Sequence, residues 1–196
     1  MRMVKRIFAL ALAMLFCACA ALAEGMIGFD EYVRNLSALT DVEWSESGLV
    51  RVLDLGDELT VSVCLIGENV AAVTVESAID GDAEAVAEAA LDALGCLNPE
   101  AIAMLAELNG GDQATCDGCV FGKLEGGRRM GFYAALEEDF DDLVWQSVHG
   151  GSKYHAKPGC SGMDVARLVT REAAMNMGYE PCGRCHPDSK NNGGSA

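Results

Sequence analysis

The stretch Leu49–Glu76, LVRVLDLGDELTVSVCLIGENVAAVTVE, decides the fold class. It is rich in β-branched residues, and turn-forming residues interrupt it at Gly56-Asp57 and at Gly67-Glu68-Asn69. Runs of this composition with such interruptions predict consecutive antiparallel strands joined by short turns. The predicted strands are Leu49–Asp54, Leu59–Ile66 and Val70–Glu76.

Helical patterns flank this meander on both sides. A first helix is predicted over Phe29–Leu39, which has acidic residues in its first turn, and a second over Asp82–Leu94, where apolar residues recur at helical spacing. Asn98 is a good N-cap and Pro99 suits the first helical position. A third helix is therefore predicted from there to the stop at Asn109-Gly110-Gly111.

Further strands are predicted beyond these helices. Cys119–Leu124 and Arg128–Ala135 have the composition of a hairpin around Glu125-Gly126-Gly127, and Leu143–Val148 has that of a last strand. Because helices and strands are segregated along the chain, the predicted class is α+β. We expect an N-terminal antiparallel sheet with two to three helices, followed by a small C-terminal module.

The first residues have the features of a secretory signal peptide. Basic residues precede the apolar run Ile7–Phe16, and Ala21-Leu22-Ala23 is a small-x-small cleavage site. The apolar run is shorter than the roughly 20 residues that span a bilayer, so we expect cleavage after Ala23 and no stable membrane anchor afterwards. The expected location is secreted, outside the cytoplasmic membrane.

Charge divides the rest of the chain in two. Residues 24–148 carry 5 Lys/Arg and 26 Asp/Glu, a net charge of −21, whereas residues 149–196 carry 6 and 4, a net charge of +2. An acidic surface repels phosphate backbones, so nucleic acid is not an expected partner of the larger part. The predicted division is a signal peptide over 1–23, an acidic α+β domain over 24–148, a linker over 149–152, a module over 153–188 and a disordered tail over 189–196.

Two short-spaced pairs of metal-binding residues lie in the C-terminal module. His155 and Cys160 form one pair, and Cys182 and Cys185 form the other. Imidazole and thiolate are the ligands that Zn²⁺ prefers, and structural zinc sites close a tetrahedron with four of them. A piece of about 35 residues cannot bury enough apolar surface to fold alone, so a bound metal would supply what its core lacks. We therefore predict a structural zinc site.

These residues resemble a known group of modules. The matching residues are Lys153-Tyr154-His155, Cys160-Ser161-Gly162-Met163, Ala173-Ala174, Gly178-Tyr179-Glu180-Pro181-Cys182-Gly183-Arg184-Cys185 and Pro187. They look like the pattern of modules similar to the metal-binding domain of the Ada DNA-repair protein, which are found on many bacterial secreted proteins. The resemblance covers about a fifth of the chain and implies a Cys₃His or Cys₄ zinc site. A histidine at the first ligand position departs from the four cysteines of Ada, so the methyl-transfer activity is not carried over.

The number of cysteines agrees with this assignment. Removal of the signal peptide leaves seven, and if zinc takes three of them, four remain to form disulfides in an oxidising compartment. Cys116 with Cys119 would be a local bridge, and Cys64 with Cys96 would tie a strand to a helix end. Four cysteines allow three pairings, and Cys64 and Cys96 also fit as buried thiols.

Other interpretations of the C-terminal cysteines stay open. Cys182-Gly183-Arg184-Cys185-His186 fits the c-type haem attachment motif, although Pro187 directly follows the would-be axial histidine. An enzyme that uses these cysteines, as a zinc-thiolate transferase or in thiol redox chemistry, is the other alternative.

The sequence favours a non-catalytic binding protein over an enzyme, because no catalytic group accompanies the ligand set. We expect zinc to order a recognition surface for a protein or a component of the cell envelope. The residues expected on that surface are Lys153, Tyr154, Lys157 and Arg184.

Overall fold

The computed structural model describes residues 27–36, 43–56, 58–78, 83–126, 129–163 and 165–186. The predicted signal peptide and the predicted tail over 189–196 lie outside the described residues. Within the described ranges, no helix is both long enough and apolar enough to cross a membrane.

Seven strands form an antiparallel sheet that contains the predicted meander. Their order across the sheet is β1-β2-β3-β4-β7-β6-β5. The strands are β1 Ser45–Ser47, β2 Val50–Asp54, β3 Thr60–Ile66, β4 Asn69–Ala78, β5 Gln113–Cys116, β6 Cys119–Gly126 and β7 Arg129–Leu136. The three meander strands and the later hairpin are confirmed, whereas the short edge strands β1 and β5 were not predicted.

Five helices accompany the strands in the described part of the chain, so the α+β class is confirmed. They are Phe29–Asn35, Ala83–Ala93, Pro99–Glu107, Glu137–Phe140 and Arg171–Asn176. The predicted N-cap is confirmed, because the Asn98 side chain accepts a hydrogen bond from the backbone N–H of Ala101 at 2.8 Å. The one-turn helix Glu137–Phe140 was not predicted.

Four more strands form a second sheet, in the order β10-β8-β9-β11. They are β8 Leu143–Ser147, β9 Lys153–His155, β10 Ala166–Thr170 and β11 Glu180–Pro181. Strand β8, predicted as the last strand of the acidic domain, pairs with both β9 and β10. The segment 149–152, predicted as a linker, therefore connects two adjacent strands of one sheet.

The two faces of the large sheet pack against different partners. Alternate residues of β3 and β4, such as Val61 and Val73, pack against the first three helices. Together with helix residues such as Tyr32 and Leu91, they form one hydrophobic core. The residues between them, such as Cys64, belong to a second core that includes residues of the small sheet. The large sheet is thus covered on both faces.

Polar side chains of the large sheet bind the edge of the small sheet. Strand β10 pairs with β8 only, so alternate backbone N–H groups point away from its partner. The N–H of Leu168 donates to Thr74 Oγ1 at 3.2 Å, and the N–H of Thr170 donates to Cys64 Sγ at 3.2 Å. These bonds satisfy buried donors and fix the position of β10 on the large sheet.

A disulfide joins Cys96 to Cys119, so the structure contains neither of the two pairs that the sequence favoured. Cys64 and Cys96 belong to different cores, one on each face of the large sheet, and the sheet itself separates their sulfurs. Cys119 is bonded to Cys96 and therefore not to Cys116, since one sulfur forms one disulfide. Cys64 and Cys116 both carry free thiols.

Candidate metal centre

Two short strands bring the predicted ligands together. Strand β9 ends at His155, and β11 ends one residue before Cys182. The two strands pair in parallel, with Pro181 opposite Tyr154, and the backbone N–H of Cys182 donates to the Tyr154 carbonyl at 2.9 Å. This register places Cys182 beside His155, although 26 residues lie between them in the chain.

Tight turns supply the second member of each pair. Cys160 lies at the start of a short 3-10 helix, Cys160–Gly162, and its N–H donates to the carbonyl of Lys157 at 3.3 Å. After Cys182 the chain folds back, and the N–H of His186 donates to the Cys182 carbonyl at 2.8 Å. Both turns aim their cysteine at the ends of β9 and β11.

The four ligand atoms converge on one point. They come from His155, Cys160, Cys182 and Cys185 and all lie within 4.8 Å of one another. The Cys160 and Cys182 sulfurs are 3.9 Å apart, and the Cys185 sulfur is 3.6 Å from Nδ1 of His155. A disulfide would need about 2.05 Å between sulfurs. The structure thus brings together all four predicted ligands in a group that could hold a metal ion.

Backbone N–H groups point at two of the sulfurs. The N–H of Arg184 donates to Cys182 Sγ at 3.5 Å, and the N–H of Ala156 donates to Cys185 Sγ at 3.3 Å. Hydrogen bonds from the N–H groups of Arg184 and Cys185 lower the pKa of the Cys182 thiol to about 6. Cys182 therefore favours the thiolate, the form that binds a metal.

Burial favours the neutral forms of two other ligands, Cys185 and His155. It raises the pKa of Cys185 and lowers the pKa of His155, with His186 lowering the latter further. A neutral imidazole is the form that ligates a metal, so the pKa of His155 suits a ligand. The site lies in the small sheet, and His155 and Cys182 are both buried.

The predicted recognition surface needs one correction. Tyr154 is buried in the second core, where its ring packs edge-on against His186 with centroids 5.2 Å apart. It therefore cannot form part of a surface. Lys157 and Arg184 are exposed, whereas Lys153 is partly buried and forms an ion pair with Glu180.

A second cluster, of ionisable side chains around Glu76, was not predicted from the sequence. The carboxylate of Glu76, on β4, is buried, accepts a hydrogen bond from Arg129 Nη1 at 2.9 Å and contacts Nε2 of His149. Arg129 also pairs with Glu58 at 3.3 Å. The available signal was the period-two alternation of β4, which places Glu76 on the same face as Thr74. His149, predicted as a linker residue, instead binds the large sheet.

Comparisons with protein-family models, with curated proteins and with solved structures find no match to this chain.

Proposed function

We propose that this chain is a secreted zinc-binding protein whose Cys₃His site is structural and whose role is binding rather than catalysis. One observation carries the proposal. In a tetrahedral zinc site, two sulfurs lie about 3.8 Å apart, and a sulfur and a nitrogen about 3.6 Å, as follows from the usual bond lengths. Here the sulfurs of Cys160 and Cys182 are 3.9 Å apart, the sulfur of Cys185 is 3.6 Å from His155 Nδ1, and all the ligand atoms lie within 4.8 Å of one another.

A structural role agrees with the composition of the site. A catalytic zinc keeps one coordination position for water or substrate, with a general base nearby. Here four protein side chains would fill the tetrahedron, and backbone N–H groups already orient two of the sulfurs. Such N–H···S bonds hold ligands in place and stabilise thiolates.

The proposed binding role rests on where the exposed cations lie. Lys157 stands between His155 and Cys160, and Arg184 between Cys182 and Cys185. A metal held by these ligands would order both turns and with them both cations. Residues 24–148 are strongly acidic, so these two cations would make the zinc-bound turns more positive than the acidic part of the chain. The partner we propose is a protein or a component of the cell envelope.

Two elements of the proposal rest on the sequence alone. Location outside the cytoplasmic membrane rests on the features of the signal peptide over 1–23. Membership of the Ada-like group rests on the residues quoted above and stays a prediction.

The alternatives are a thiol enzyme and a haem protein. The low pKa of Cys182 favours a reactive thiol whenever no metal is bound. Haem attachment is disfavoured, because the sulfurs of Cys182 and Cys185 lie within 4.8 Å of the ligand atoms of Cys160 and His155, as a shared metal ion requires. Alkylation of the zinc-loaded chain separates a structural site from a reactive one: structural ligands react only after a chelator is added.

Elemental analysis of the reduced, refolded chain tests the proposal. We expect about one zinc per chain, because the four ligands form one closed set. The variant Cys185→Ser should lose most of the zinc, whereas Cys64→Ala, which removes a buried cysteine of β3 outside the ligand set, should keep it. A wild-type chain that binds no zinc in reducing buffer would contradict the proposal.

The backbone donor at Arg184 gives a sharper prediction. Arg184→Pro removes the N–H that donates to Cys182, while Arg184→Ala keeps it. We expect the proline variant to bind zinc about 10- to 100-fold more weakly, the usual effect of losing a group that orients a ligand, and the alanine variant to bind normally. Competition with a chromophoric chelator measures both affinities. Equal affinities in the two variants would show that this hydrogen bond does not support the site.

A further inference from the structure

Three cysteines lie together on the helix-covered face of the large sheet, away from the metal centre. Cys96 follows the helix Ala83–Ala93, Cys116 ends β5, and Cys119 begins β6. Cys96 and Cys119 belong to the core beneath the helices, and Cys116 packs against that core. The disulfide joins Cys96 to Cys119, and Cys116 carries a thiol.

The hairpin geometry places Cys116 directly opposite Cys119. The two are paired residues of β5 and β6, and the turn between them consists of Asp117 and Gly118, both with positive φ. Such a two-residue turn gives a tight hairpin. Directly opposite residues of antiparallel strands point to the same side, with Cα atoms about 4.5 to 5.5 Å apart. Disulfides span about 4.4 to 6.8 Å, so Cys119 is within bonding range of Cys116.

Cys119 therefore has two possible partners. Its Cα lies 5.7 Å from that of Cys96, the present partner. Cys96 and Cys119 are both buried, whereas Cys116 is partly exposed. Of the three, Cys116 is thus the sulfur that solvent reaches most easily, and it is the one that carries a thiol.

The side chain of Asn98 contacts the Cys116 sulfur. Asn98 Nδ2 lies 3.6 Å from Cys116 Sγ and also donates to the carboxylate of Asp117. The Asn98 Oδ1 is held by the N–H of Ala101, which fixes the orientation of the amide. The Cys116 thiol in turn lies 3.9 Å from Asn98 Oδ1, to which it can donate, so the Asn98 amide holds the Cys116 side chain in place beside Cys119.

We propose that Cys96, Cys116 and Cys119 form an internal thiol–disulfide exchange site. Cys116 loses its proton to solvent, and its thiolate attacks Cys119 Sγ. The Cys116–Cys119 bond forms as the Cys96–Cys119 bond breaks, and Cys96 leaves as a thiolate that takes a proton from solvent. One disulfide and one thiol are present before and after, so the step needs no external oxidant or reductant.

The exchange would change what the disulfide connects. In the present state it ties the segment between the helices Ala83–Ala93 and Pro99–Glu107 to β6. In the other state the disulfide closes only the Asp117-Gly118 turn, and the segment between the two helices has no disulfide to the sheet. The site would thereby couple a thiol near the surface to the attachment of two helices.

Disulfide mapping of the full chain tests the proposal. The chain is held at about pH 8, quenched with acid, blocked with N-ethylmaleimide and digested without reduction. We expect the Cys116–Cys119 isomer, with Cys96 blocked, at more than about 1% of the Cys96–Cys119 isomer, a ratio that mass spectrometry detects. Cys116→Ala should show one isomer only, and Cys64→Ala, which removes the free thiol on the opposite face, should show both.

A second variant keeps the test decisive. In Cys96→Ala, oxidised glutathione should drive formation of a Cys116–Cys119 disulfide, because the two remaining sulfurs are directly opposed. The proposal would be overturned if the Cys116–Cys119 isomer stayed below about 1% in the wild-type chain. It would also be overturned if Cys116 and Cys119 both remained reactive thiols in oxidised Cys96→Ala. Neither result depends on whether the metal centre binds zinc.

Discussion

Chelation of the proposed metal is expected to release the turns around the ligands while the rest of the fold stays intact. Hydrogen exchange of backbone amides should become faster by about 1,000-fold or more at 153–163 and 180–186. A metal present at 1,000 times its dissociation constant contributes about 4 kcal/mol, which corresponds to that factor. Residues 166–170 and the strands of the large sheet should keep their protection.

The expected limits of this effect follow from the strand pairings. Strand β11 has two residues and pairs only with β9, and β9 pairs with β8 through two residues. These segments have few other hydrogen bonds, so the metal would provide most of their stability. Strand β10 pairs with β8 over five residues and is bound to the large sheet through Thr74 and Cys64.

Exchange measured by mass spectrometry, with and without a chelator, checks this prediction. Cys182→Ser should reproduce the effect of the chelator without any chelator present, and Lys157→Ala, which changes an exposed side chain beside the ligands, should behave as the wild type. Unchanged exchange after zinc removal would mean that the metal does not order the turns. Faster exchange throughout β3 and β4 would mean that the two sheets unfold together, against the expectation.

Much of the fold could be predicted because local patterns determine it. Apolar alternation in β3 and β4, the glycine-rich turns and the Asn98 cap are all readable from neighbouring residues. The ligand set could be predicted for a similar reason. Zinc chemistry restricts its ligands to a few residue types at short spacings, and both pairs satisfy that restriction.

The second sheet could not be predicted, because its pairings depend on contacts between distant segments. Ser62, Thr74 and Glu76 alternate with buried valines, and this pattern is typical of a strand with one face in water. All three are buried in the structure, since the small sheet covers that face. The hydrogen bond from β10 to Thr74 and the contacts of Glu76 with Arg129 and His149 explain why these two polar residues are tolerated there.

The disulfide could not be predicted for a related reason. Spacing along the chain made Cys116 the nearest candidate for Cys119, but Cys96 lies on the same face of the sheet and is also within reach, so spacing alone does not decide the pair. Cys96 reaches Cys119 because the turn after the helix Ala83–Ala93 lies over β6. That arrangement depends on how the helices pack, and the spacing of the cysteines along the chain does not reveal it.

Replacement of Glu76 is expected to be strongly destabilising, although the residue lies outside the metal centre. Its side chain is 4% exposed and contacts both Arg129 and His149. Glu76→Ala leaves the Arg129 guanidinium, which is itself mostly buried, without its nearest carboxylate. Removing one partner of a fully buried ion pair destabilises by about 3 to 5 kcal/mol, and we expect the lower end of that range here, because Arg129 is 23% exposed and keeps its pair with Glu58. The change also removes the contact that ties the β8–β9 connection to the large sheet.

Glu58→Ala is the matched control, because Glu58 pairs with the same arginine but is 63% exposed. An exposed pair contributes about 0 to 1 kcal/mol, so urea denaturation should separate the two variants by at least about 2 kcal/mol.

The double variant Glu76→Ala/Arg129→Met should recover part of the loss, because no buried charge then lacks a partner. If Glu76→Ala and Glu58→Ala were equally stable, burial would not determine the strength of the pair, and the cluster would act as an ordinary surface network. A large loss for Glu76→Ala alone would instead show that the buried carboxylate stabilises the fold through its contacts with Arg129 on β7 and with His149 between β8 and β9.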